Sequence, residues 1–323
     1  MSISLQIKSF IWKITLGTIL GLRYRLQLRF NPRIILEQKW KDAFGYPINW
    51  EQPRDLNEKI QFLLAYTDTS QWSRLADKVL VRDYVRECGL EELLVPLYGV
   101  WKSAKDIDFK SLPKRFVLKC NHDSGSTLII DQSKDCIDYQ NIRSFYNKRM
   151  KQDFGFRGEI HYRRIKRRIL AEKCLDTISD TEVLPLVDYK VWCFNGNPHH
   201  ILTCYGRTQN QCFLNVYDLD WNCHPEYSVE QGHYKIGDGQ LARPASLPYM
   251  LEAAKILSSG FPEVRVDFYD IDGILYFGEM TFTSLCGRMK YYTPDFLKEM
   301  GALVVLPKVK PSFRNWLRRI CTS

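Results

Sequence analysis

Apolar and polar residues alternate along this chain with two different periods. In the first half, apolar residues recur at helical spacing, as Ile60, Leu63 and Leu64 do in LNEKIQFLLAY. We expect a helix there, beginning at Asn57, and a second, continuous helix over SRLADKVLVRDYVRECG with Gly89 as its C-cap. In the second half, alternation with a period of two predominates and predicts strands.

The dipeptides Asn195-Gly196 and Asp272-Gly273 each join two alternating segments, which predicts two β-hairpins. Hairpins imply antiparallel pairing, so the expected fold class is α+β and not a series of βαβ units. The chain has no G-x-G-x-x-G after a strand, no Walker lysine motif and no G-x-S-x-G. These absences argue against the enzyme classes that depend on those motifs.

The second hairpin, VRVDFYDIDGILYFGEMTF, carries charges that a buried hairpin does not need. Alternation places Arg265 and Asp267 on the face opposite the apolar residues. A three-residue loop over 272–274 would set Asp267 opposite Glu279. Two facing carboxylates repel unless a positive group lies between them, and Arg265 or a divalent cation such as Mg²⁺ could be that group. A solvated hairpin whose acids are screened by Arg265 is the alternative.

A second candidate site is the loop in LKCNHDSGSTLII. Lys119 ends an apolar strand, and the small polar residues that follow it include Gly125. Backbone N–H groups of such a loop can bind phosphate oxygens. The same loop also fits an ordinary hairpin turn, so it does not establish a phosphate site by itself.

Composition limits the choice of partners. The chain has 323 residues, a formal net charge of +9 and ten cysteines without a C-x-x-C pair. Scattered cysteines in apolar segments favour a reduced, cytoplasmic protein over a disulfide scaffold or a zinc site. The positive charge favours anionic partners. The basic segments lack interleaved aromatic residues on a nucleic-acid-binding module, so we expect no nucleic-acid partner.

The apolar segment at residues 9–22 is too short to span a bilayer and is interrupted by Lys13. No signal-peptide cleavage site follows it. It is expected to pack on the body of the protein, or to lie within a basic amphipathic helix, residues 3–29, on the inner face of the membrane.

Five motifs occur in an order that resembles the ATP-grasp superfamily, and more closely the TupA-like ATP-grasp family of cell-surface polysaccharide biosynthesis. They are LADKVLVRDYV, FVLKCNHDSGS, ILAEKCL, DYKVWCFNGNP and VRVDFY with GEMTF. The resemblance covers approximately residues 45–300. It implies an ATP-grasp architecture in which ATP lies between two α+β lobes with mostly antiparallel sheets.

The resemblance also implies roles for individual residues. Lys119 would contact the α- and β-phosphates, Gly125 and its neighbours would close over the γ-phosphate, and residues 172–175 would form the hinge that binds adenine and ribose. The nucleotide-binding residues that it implies are Lys78, Lys119, His122, Ser124, Gly125, Ser126, Glu172, Lys173, Leu175 and Lys190.

Asp267, Glu279 and Thr281 would hold Mg²⁺, or Mn²⁺ in its place, while Arg265 and Lys119 would act on the transferring phosphate. Many ATP-grasp enzymes have Asn where this chain has Thr281. Because a hydroxyl is a weaker metal ligand than an amide carbonyl, the number of metal ions stays open.

The implied reaction is an ADP-forming ligation. A carboxylate attacks the γ-phosphate of ATP to form an acyl phosphate, and an amine then captures the acyl group. One of these substrates is expected on a cell-surface glycan or its precursor. A metal-dependent glycosyltransferase is the alternative, because YDLDW and YDIDG both contain Asp-x-Asp. A non-catalytic nucleotide-binding scaffold is a third possibility.

Four regions are expected. Residues 1–45 form a basic and apolar helical segment, and 46–110 precede the nucleotide-binding lobes. Residues 111–180 form the lid, and 181–323 form the C-terminal lobe with the metal site and a basic tail.

Overall fold

The computed structural model describes residues 32–133, 137–175, 177–178, 183–184, 186–208 and 210–308. The expected membrane-surface segment, residues 3–29, therefore lies outside the described part. Among the described residues, no helix is long and apolar enough to cross a membrane.

The first half begins with four helices: α1 (Pro32–Phe44), α2 (Leu56–Tyr66), α3 (Ser70–Ala76) and α4 (Val81–Glu87). Helix α2 begins at Leu56 because Asp55 accepts a hydrogen bond from the Glu58 N–H, which caps the helix. The predicted apolar face of α2 is confirmed: Ile60, Leu63 and Leu64 are buried.

The expected continuous helix is wrong, because the chain turns between α3 and α4. The Asp77 carboxylate accepts a hydrogen bond from the Val79 N–H at 2.9 Å and another from the Asn121 amide at 2.8 Å. An Asp side chain that bonds to nearby backbone N–H groups competes with the helix. As a result, Lys78 leaves the helix, and its ammonium donates to the Asp123 carbonyl at 3.0 Å and lies 3.4 Å from the Glu279 carboxylate.

Four strands form the smaller lobe: β1 (Leu97–Trp101), β2 (Arg115–Cys120), β3 (Leu128–Asp131) and β4 (Ile169–Lys173). Their order in the antiparallel sheet is β1-β4-β2-β3. Helices α5 (Tyr139–Arg149) and α6 (Ile160–Arg163) follow β3 in the chain. The sheet and α5 share an apolar core, in which the Tyr146 hydroxyl donates to the Leu118 carbonyl at 2.7 Å.

The larger lobe contains a six-stranded sheet in the order β10-β9-β8-β7-β11-β12. Its strands are β7 (Asp188–Phe194), β8 (Asn197–Tyr205), β9 (Cys212–Tyr217), β10 (Tyr234–Ile236), β11 (Glu263–Ile271) and β12 (Ile274–Thr281), and the short strands β5 (Thr177–Ile178) and β6 (Val183–Leu184) form a separate pair. Only the β9–β10 pair is parallel among the six described strands. Helix α7 (Leu247–Leu257) packs on one face, and α8 (Pro294–Leu303) packs against α2 and β8 on the other.

Both predicted hairpins form. Asn195 and Gly196 have φ values of +51° and +78°, and Asp272 and Gly273 have values of +52° and +83°. Positive φ at both central residues is the geometry that a two-residue hairpin turn of type I′ requires.

The expected three-residue loop over 272–274 is wrong, because Ile274 pairs with Ile271 within the ladder. The register instead shifts by one residue further along, where Phe268 pairs with Phe277 and Asp267 pairs with Glu279. Gly278 is the extra residue of this β-bulge. The predicted opposition of Asp267 and Glu279 is therefore correct, but the bulge produces it and not the turn.

The two sheets have separate apolar cores, and helices α2, α3 and α4 share the core of the larger sheet. The smaller sheet already begins at Leu97. It thus starts upstream of the boundary at 110/111 that the sequence suggested, since β1 pairs with β4 over a sequence separation that no local pattern reveals.

Candidate functional site

A cleft of about 1180 Å³ lies between the two sheets. Side chains from both lobes and from the turn after α3 line it, so no single sequence segment could form it. The predicted site residues that line the cleft are Lys78, Lys119, Ser124, Gly125, Ser126, Glu172, Lys173, Leu175, Lys190, Arg265, Asp267, Glu279 and Thr281.

On the side of the smaller lobe, Lys119 of β2 forms an ion pair with Glu172 of β4. The Glu172 carboxylate also lies 3.3 Å from the Arg82 guanidinium of α4 and is 5% exposed. A carboxylate at such a depth is stabilised by these two cations. The pairing holds the Lys119 ammonium at the cleft wall.

The loop after β2 is tightened by its own side chains. The Ser126 hydroxyl accepts from the Cys120 N–H at 2.9 Å and donates to Asp123, and Arg149 donates to Asp123 at 2.8 Å. Gly125 has a φ of +76°, a value that glycine adopts without strain. The loop therefore presents its backbone to the cleft in a fixed conformation.

His122 is the predicted site residue that does not line the cleft. It is 1% exposed and lies below the loop, with its ring edge-on to Phe154. Burial lowers the pKa of His122 to about 4, so the imidazole is neutral near pH 7. The polar spacing of the loop motif could not show that this side chain turns inward.

On the side of the larger lobe, Asp267 is 3% exposed and is held by two cations. Arg265 donates through two guanidinium nitrogens, each at 2.7 Å from a different carboxylate oxygen. Lys190 of β7 donates to Asp267 at 2.6 Å. Burial opposes the charge on Lys190, but attraction to Asp267 and Asp188 outweighs this effect and holds the pKa of the lysine above its usual value.

Glu279 faces Asp267 across the hairpin and is the more open of the two, with 39% of its side-chain surface accessible within the cleft. Burial would raise the pKa of Glu279, but the charges of Lys78, Arg265 and Lys190 outweigh it and hold that pKa at about 2. The nearest of these contacts join Glu279 to Lys78 at 3.4 Å and to Arg265 at 3.7 Å. Glu279 is thus ionised at any physiological pH.

The donor set at this position fits Mg²⁺. Asp267, Glu279 and the Thr281 hydroxyl are hard oxygen donors, and the described residues contain no cluster of three His, Cys, Asp or Glu side chains that could hold a metal. Mg²⁺ is usually bound by one or two carboxylates together with substrate phosphates. Four cations, Lys78, Lys190, Arg207 and Arg265, contact three carboxylates here, those of Asp188, Asp267 and Glu279. The excess of one positive charge favours an anionic ligand.

The structure adds residues that sequence reasoning missed. Asp188 lies 2.9 Å from Arg207 and 3.4 Å from Lys190, and all three line the cleft. Asp188 precedes Lys190 by two positions on β7, so strand alternation could have revealed that they share a face.

Glu159 and Tyr162 also line the cleft, although they lie in a segment rich in Lys and Arg, residues 148–168. Glu159 accepts hydrogen bonds from the hydroxyl of Thr283 and, at 2.8 Å, from the thiol of Cys286. These contacts fix the segment before α6 against the end of β12. No sequence pattern signals a contact over this separation.

The cleft lies between two α+β lobes. The acidic hairpin lines one side of it, and Lys119 and the glycine loop line the other side. This arrangement defines an ATP-grasp protein. The chain matches the family described as TupA-like ATPgrasp over residues 58–305 and belongs to it. This membership confirms the resemblance seen in the five sequence motifs and the expected fold class.

Three solved structures illustrate the similarity. D-alanine–D-alanine ligase from Bacillus anthracis, complexed with ATP, has 16% identity and a TM-score of 0.41, with 80% of this chain and 68% of that chain covered. Biotin carboxylase from Campylobacter jejuni has 13% identity and a TM-score of 0.41, with 78% and 54% covered. L-amino acid ligase from Bacillus licheniformis has 12% identity and a TM-score of 0.37, with 76% and 51% covered. A search of curated protein sequences finds no match.

Proposed function

We propose that the protein is an ADP-forming, ATP-dependent carboxylate–amine ligase that modifies a cell-surface polysaccharide or its precursor. The observation that carries this proposal is the pair Asp267 and Glu279, opposed across a hairpin and surrounded by Lys78, Lys190 and Arg265. Carboxylates that hold a divalent ion, beside cations that contact phosphate, are the arrangement that phosphoryl transfer needs.

ATP would lie in the cleft with its phosphates between the two lobes. Lys119 would contact the α- and β-phosphates, and the loop with Ser124, Gly125 and Ser126 would close over the γ-phosphate, which is supported by the position of all four residues along the cleft. The hinge formed by Glu172, Lys173 and Leu175 lines the same cleft and would bind adenine and ribose.

Mg²⁺ would be held by Asp267 and Glu279, with Thr281 as a weaker donor. When bound, the ion supplies positive charge that compensates the phosphate oxygens. Mn²⁺ offers the same charge and accepts similar oxygen ligands. Arg265 donates to Asp267 and also to the Ser284 hydroxyl at 2.7 Å, so its orientation is fixed before any substrate binds.

In the reaction, a carboxylate oxygen of one substrate attacks the γ-phosphorus of ATP, and the bond to the bridging oxygen of ADP breaks. Arg265, Lys119 and Lys190 would stabilise the charge on the transferred phosphate. The nitrogen of an amine then attacks the acyl carbon and loses a proton. Phosphate leaves, so the products are an amide, ADP and phosphate. The chain needs no nucleophilic side chain for these steps because ATP activates the carboxylate.

Thermal unfolding of the purified chain with Mg²⁺ and ATP tests the proposal. A ligand that binds only the folded state adds about 2.7 kcal/mol at a hundredfold excess over its dissociation constant. We expect this stabilisation in the wild type and its loss in Asp267→Asn and in Glu279→Gln. The control Asp295→Asn, at a 94% exposed carboxylate on α8, should keep it.

Stabilisation by Mn²⁺ with a sugar nucleotide, and none by Mg²⁺ with ATP, would favour the glycosyltransferase and contradict the ligase. In the described residues, the first aspartate of each Asp-x-Asp segment bonds to nearby backbone N–H groups. Asp218 accepts from the N–H groups of Asp220 and Asn222, and Asp270 accepts from the Gly273 N–H. These aspartates thus form turns, as short Asp-rich segments commonly do.

A further inference from the structure

The Asp267 carboxylate, the proposed metal ligand, is already surrounded by donors. Its Oδ1 accepts from Arg265 Nε at 2.7 Å, and its Oδ2 accepts from Arg265 Nη2 at 2.7 Å and from Lys190 Nζ at 2.6 Å. An ionised carboxylate has about four lone-pair sites, so these bonds leave about one of them free. The side chain is also buried. A metal ion that binds Asp267 must therefore compete with cations that are already in place.

Arg265 is the less mobile of the two cations. Its guanidinium also donates to the Ser284 hydroxyl at 2.7 Å and to the Thr281 hydroxyl at 3.2 Å. A planar guanidinium held at several points cannot turn away from Asp267 without losing several of these bonds. Lys190 carries its charge at the end of a flexible stem. Its ammonium is therefore the group that can move when another cation arrives.

Asp188 provides Lys190 with a second carboxylate. It lies two residues earlier on β7, so strand alternation places both side chains on the cleft side of the sheet. The Lys190 ammonium is 3.4 Å from Asp188 and 2.6 Å from Asp267, and among the described residues it has no other ion-pair partner. An ammonium that leaves Asp267 can therefore move closer to Asp188 and stay within the cleft.

The Asp188 carboxylate is itself held in place. Phe268 of β11 pairs with Tyr189 of β7, which sets Tyr269 beside Asp188, and the Tyr269 hydroxyl donates to the carboxylate. Arg207 lies 2.9 Å from the same carboxylate, but 60% of the arginine side chain is exposed. Because solvent weakens such an exposed pair, Asp188 is only partly compensated by Arg207. It can therefore accept a further cation.

We propose that Asp188 is a positioning residue, which takes over the Lys190 ammonium when a divalent ion binds Asp267. Positive charges that share one carboxylate repel each other strongly in a partly buried site. Asp188 gives the displaced ammonium a partner inside the cleft, next to the proposed position of the phosphates. This role of Asp188 rests on the proposed function, because it concerns the metal ion of the same site.

The variant Asp188→Asn tests this role, because it keeps the shape of the side chain and removes its charge. Asp267 is then the remaining described carboxylate for Lys190, so the ion must displace an ammonium that has no second carboxylate. We expect binding of Mn²⁺ and of the Mg²⁺–ATP complex to weaken by about tenfold or more. Binding of ATP in EDTA, without metal, should be unchanged or tighter, since a negative charge has left the cleft.

Electron paramagnetic resonance of free Mn²⁺ measures binding of the ion to the full chain, and isothermal titration calorimetry measures binding of ATP with Mg²⁺ and in EDTA. The matched control is Asp153→Asn, which removes a carboxylate that also lines the cleft and also pairs with an arginine, Arg163 at 3.0 Å. It should change these affinities by less than about threefold. A second control, Arg207→Gln, should not weaken metal binding, because it leaves Lys190 and Asp188 together.

A double-mutant cycle with Lys190→Met separates positioning from a structural role. If Asp188 acts through Lys190, Asp188→Asn should change Mn²⁺ binding by less than about threefold once the ammonium is absent. A tenfold loss in that background too, or equal weakening of ATP binding with and without metal, would overturn the proposal. The comparison with and without metal in Asp188→Asn is decisive by itself, whether or not Lys190→Met folds.

The same measurements separate the role of Asp188 from the proposed function. Binding of Mg²⁺–ATP that is as tight in Asp188→Asn as in the wild type would contradict this role and leave the ligase function standing. Binding of Mn²⁺ that depends on Asp267 and weakens in Asp188→Asn, without any binding of ATP, would contradict the ligase function and leave the role of Asp188 standing. Binding of neither Mn²⁺ nor ATP to the wild type would overturn both.

Discussion

At the scale of single residues, charge compensation explains why the sequence could locate the site only in part. Asp267 is almost fully buried, and a buried carboxylate is strongly destabilising unless cations pair with it. Strand alternation predicted Arg265 beside it. Lys190, which donates to it at 2.6 Å, comes from a different strand and became a candidate only through the family resemblance.

His161 provides a test at the same scale, because it is fully buried and neither of its ring nitrogens has a hydrogen-bond partner among the described residues. Burial lowers the pKa of His161 to about 3. At pH values between about 3 and the ordinary histidine pKa, His161 binds a proton in the unfolded chain but not in the folded chain. Stability is therefore highest above the ordinary histidine pKa and falls as the pH decreases.

The wild-type chain should lose unfolding free energy when the pH falls from about 7.5 to about 4.5. We expect this loss to be smaller by about 3 kcal/mol in His161→Leu. Urea unfolding at both pH values measures this difference. His233→Leu, at an exposed position, should keep the wild-type pH dependence. An unchanged pH dependence in His161→Leu would show that His161 is not the source of acid instability.

At the scale of elements, turns were predictable and irregularities were not. Asn195-Gly196 and Asp272-Gly273 identified both hairpins, since few dipeptides adopt positive φ at two consecutive positions. The break after α3 and the bulge at Gly278 escaped prediction. An Asp inside a helical pattern and a Gly inside a strand pattern are each compatible with a regular element.

Gly278→Ala tests whether the bulge sets the opposition of Asp267 and Glu279. A Cβ at this position would lie 3.0 Å from the Asp267 carbonyl oxygen, so the strands must shift at Asp267 and Glu279. We expect a loss of about 1–2 kcal/mol in unfolding free energy and weaker stabilisation by Mg²⁺ and ATP.

Gly273→Ala, in the turn of the same hairpin, is the matched control. It strains a residue with a φ of +83°, and its Cβ would make only an ordinary contact with Ala245 at 3.8 Å. It should cost about 1 kcal/mol of stability and leave the Mg²⁺ and ATP effect intact. Equal ligand effects in both variants would argue against a role for the bulge.

At the scale of the whole molecule, the site exists because two sheets with separate cores face each other across the cleft. Arg82 connects them. It belongs to α4, whose apolar residues pack with the larger sheet, and it pairs with Glu172 of the smaller sheet. It also donates to the Val95 carbonyl at 2.9 Å.

Arg82→Met should lower the unfolding free energy by about 2–3 kcal/mol, because Glu172 stays buried with Lys119 as its remaining cation. Chemical denaturation measures this loss. The control Arg86→Met removes an exposed arginine that pairs with Asp83 and Glu91 and should cost less than about 1 kcal/mol. Losses of similar size in both variants would show that the connection between the lobes contributes no more than a surface ion pair.

The sequence by itself determined the family, the α+β class, the two hairpin turns and thirteen of the residues that line the cleft, because each depends on a local pattern or on the order of short motifs. Only the tertiary structure decided that His122 turns into the interior and that Arg149, Glu159 and Tyr162 line the cleft. These features depend on contacts between residues far apart in the chain. Burial and cross-lobe pairing determine such contacts, and neither has a local sequence signal.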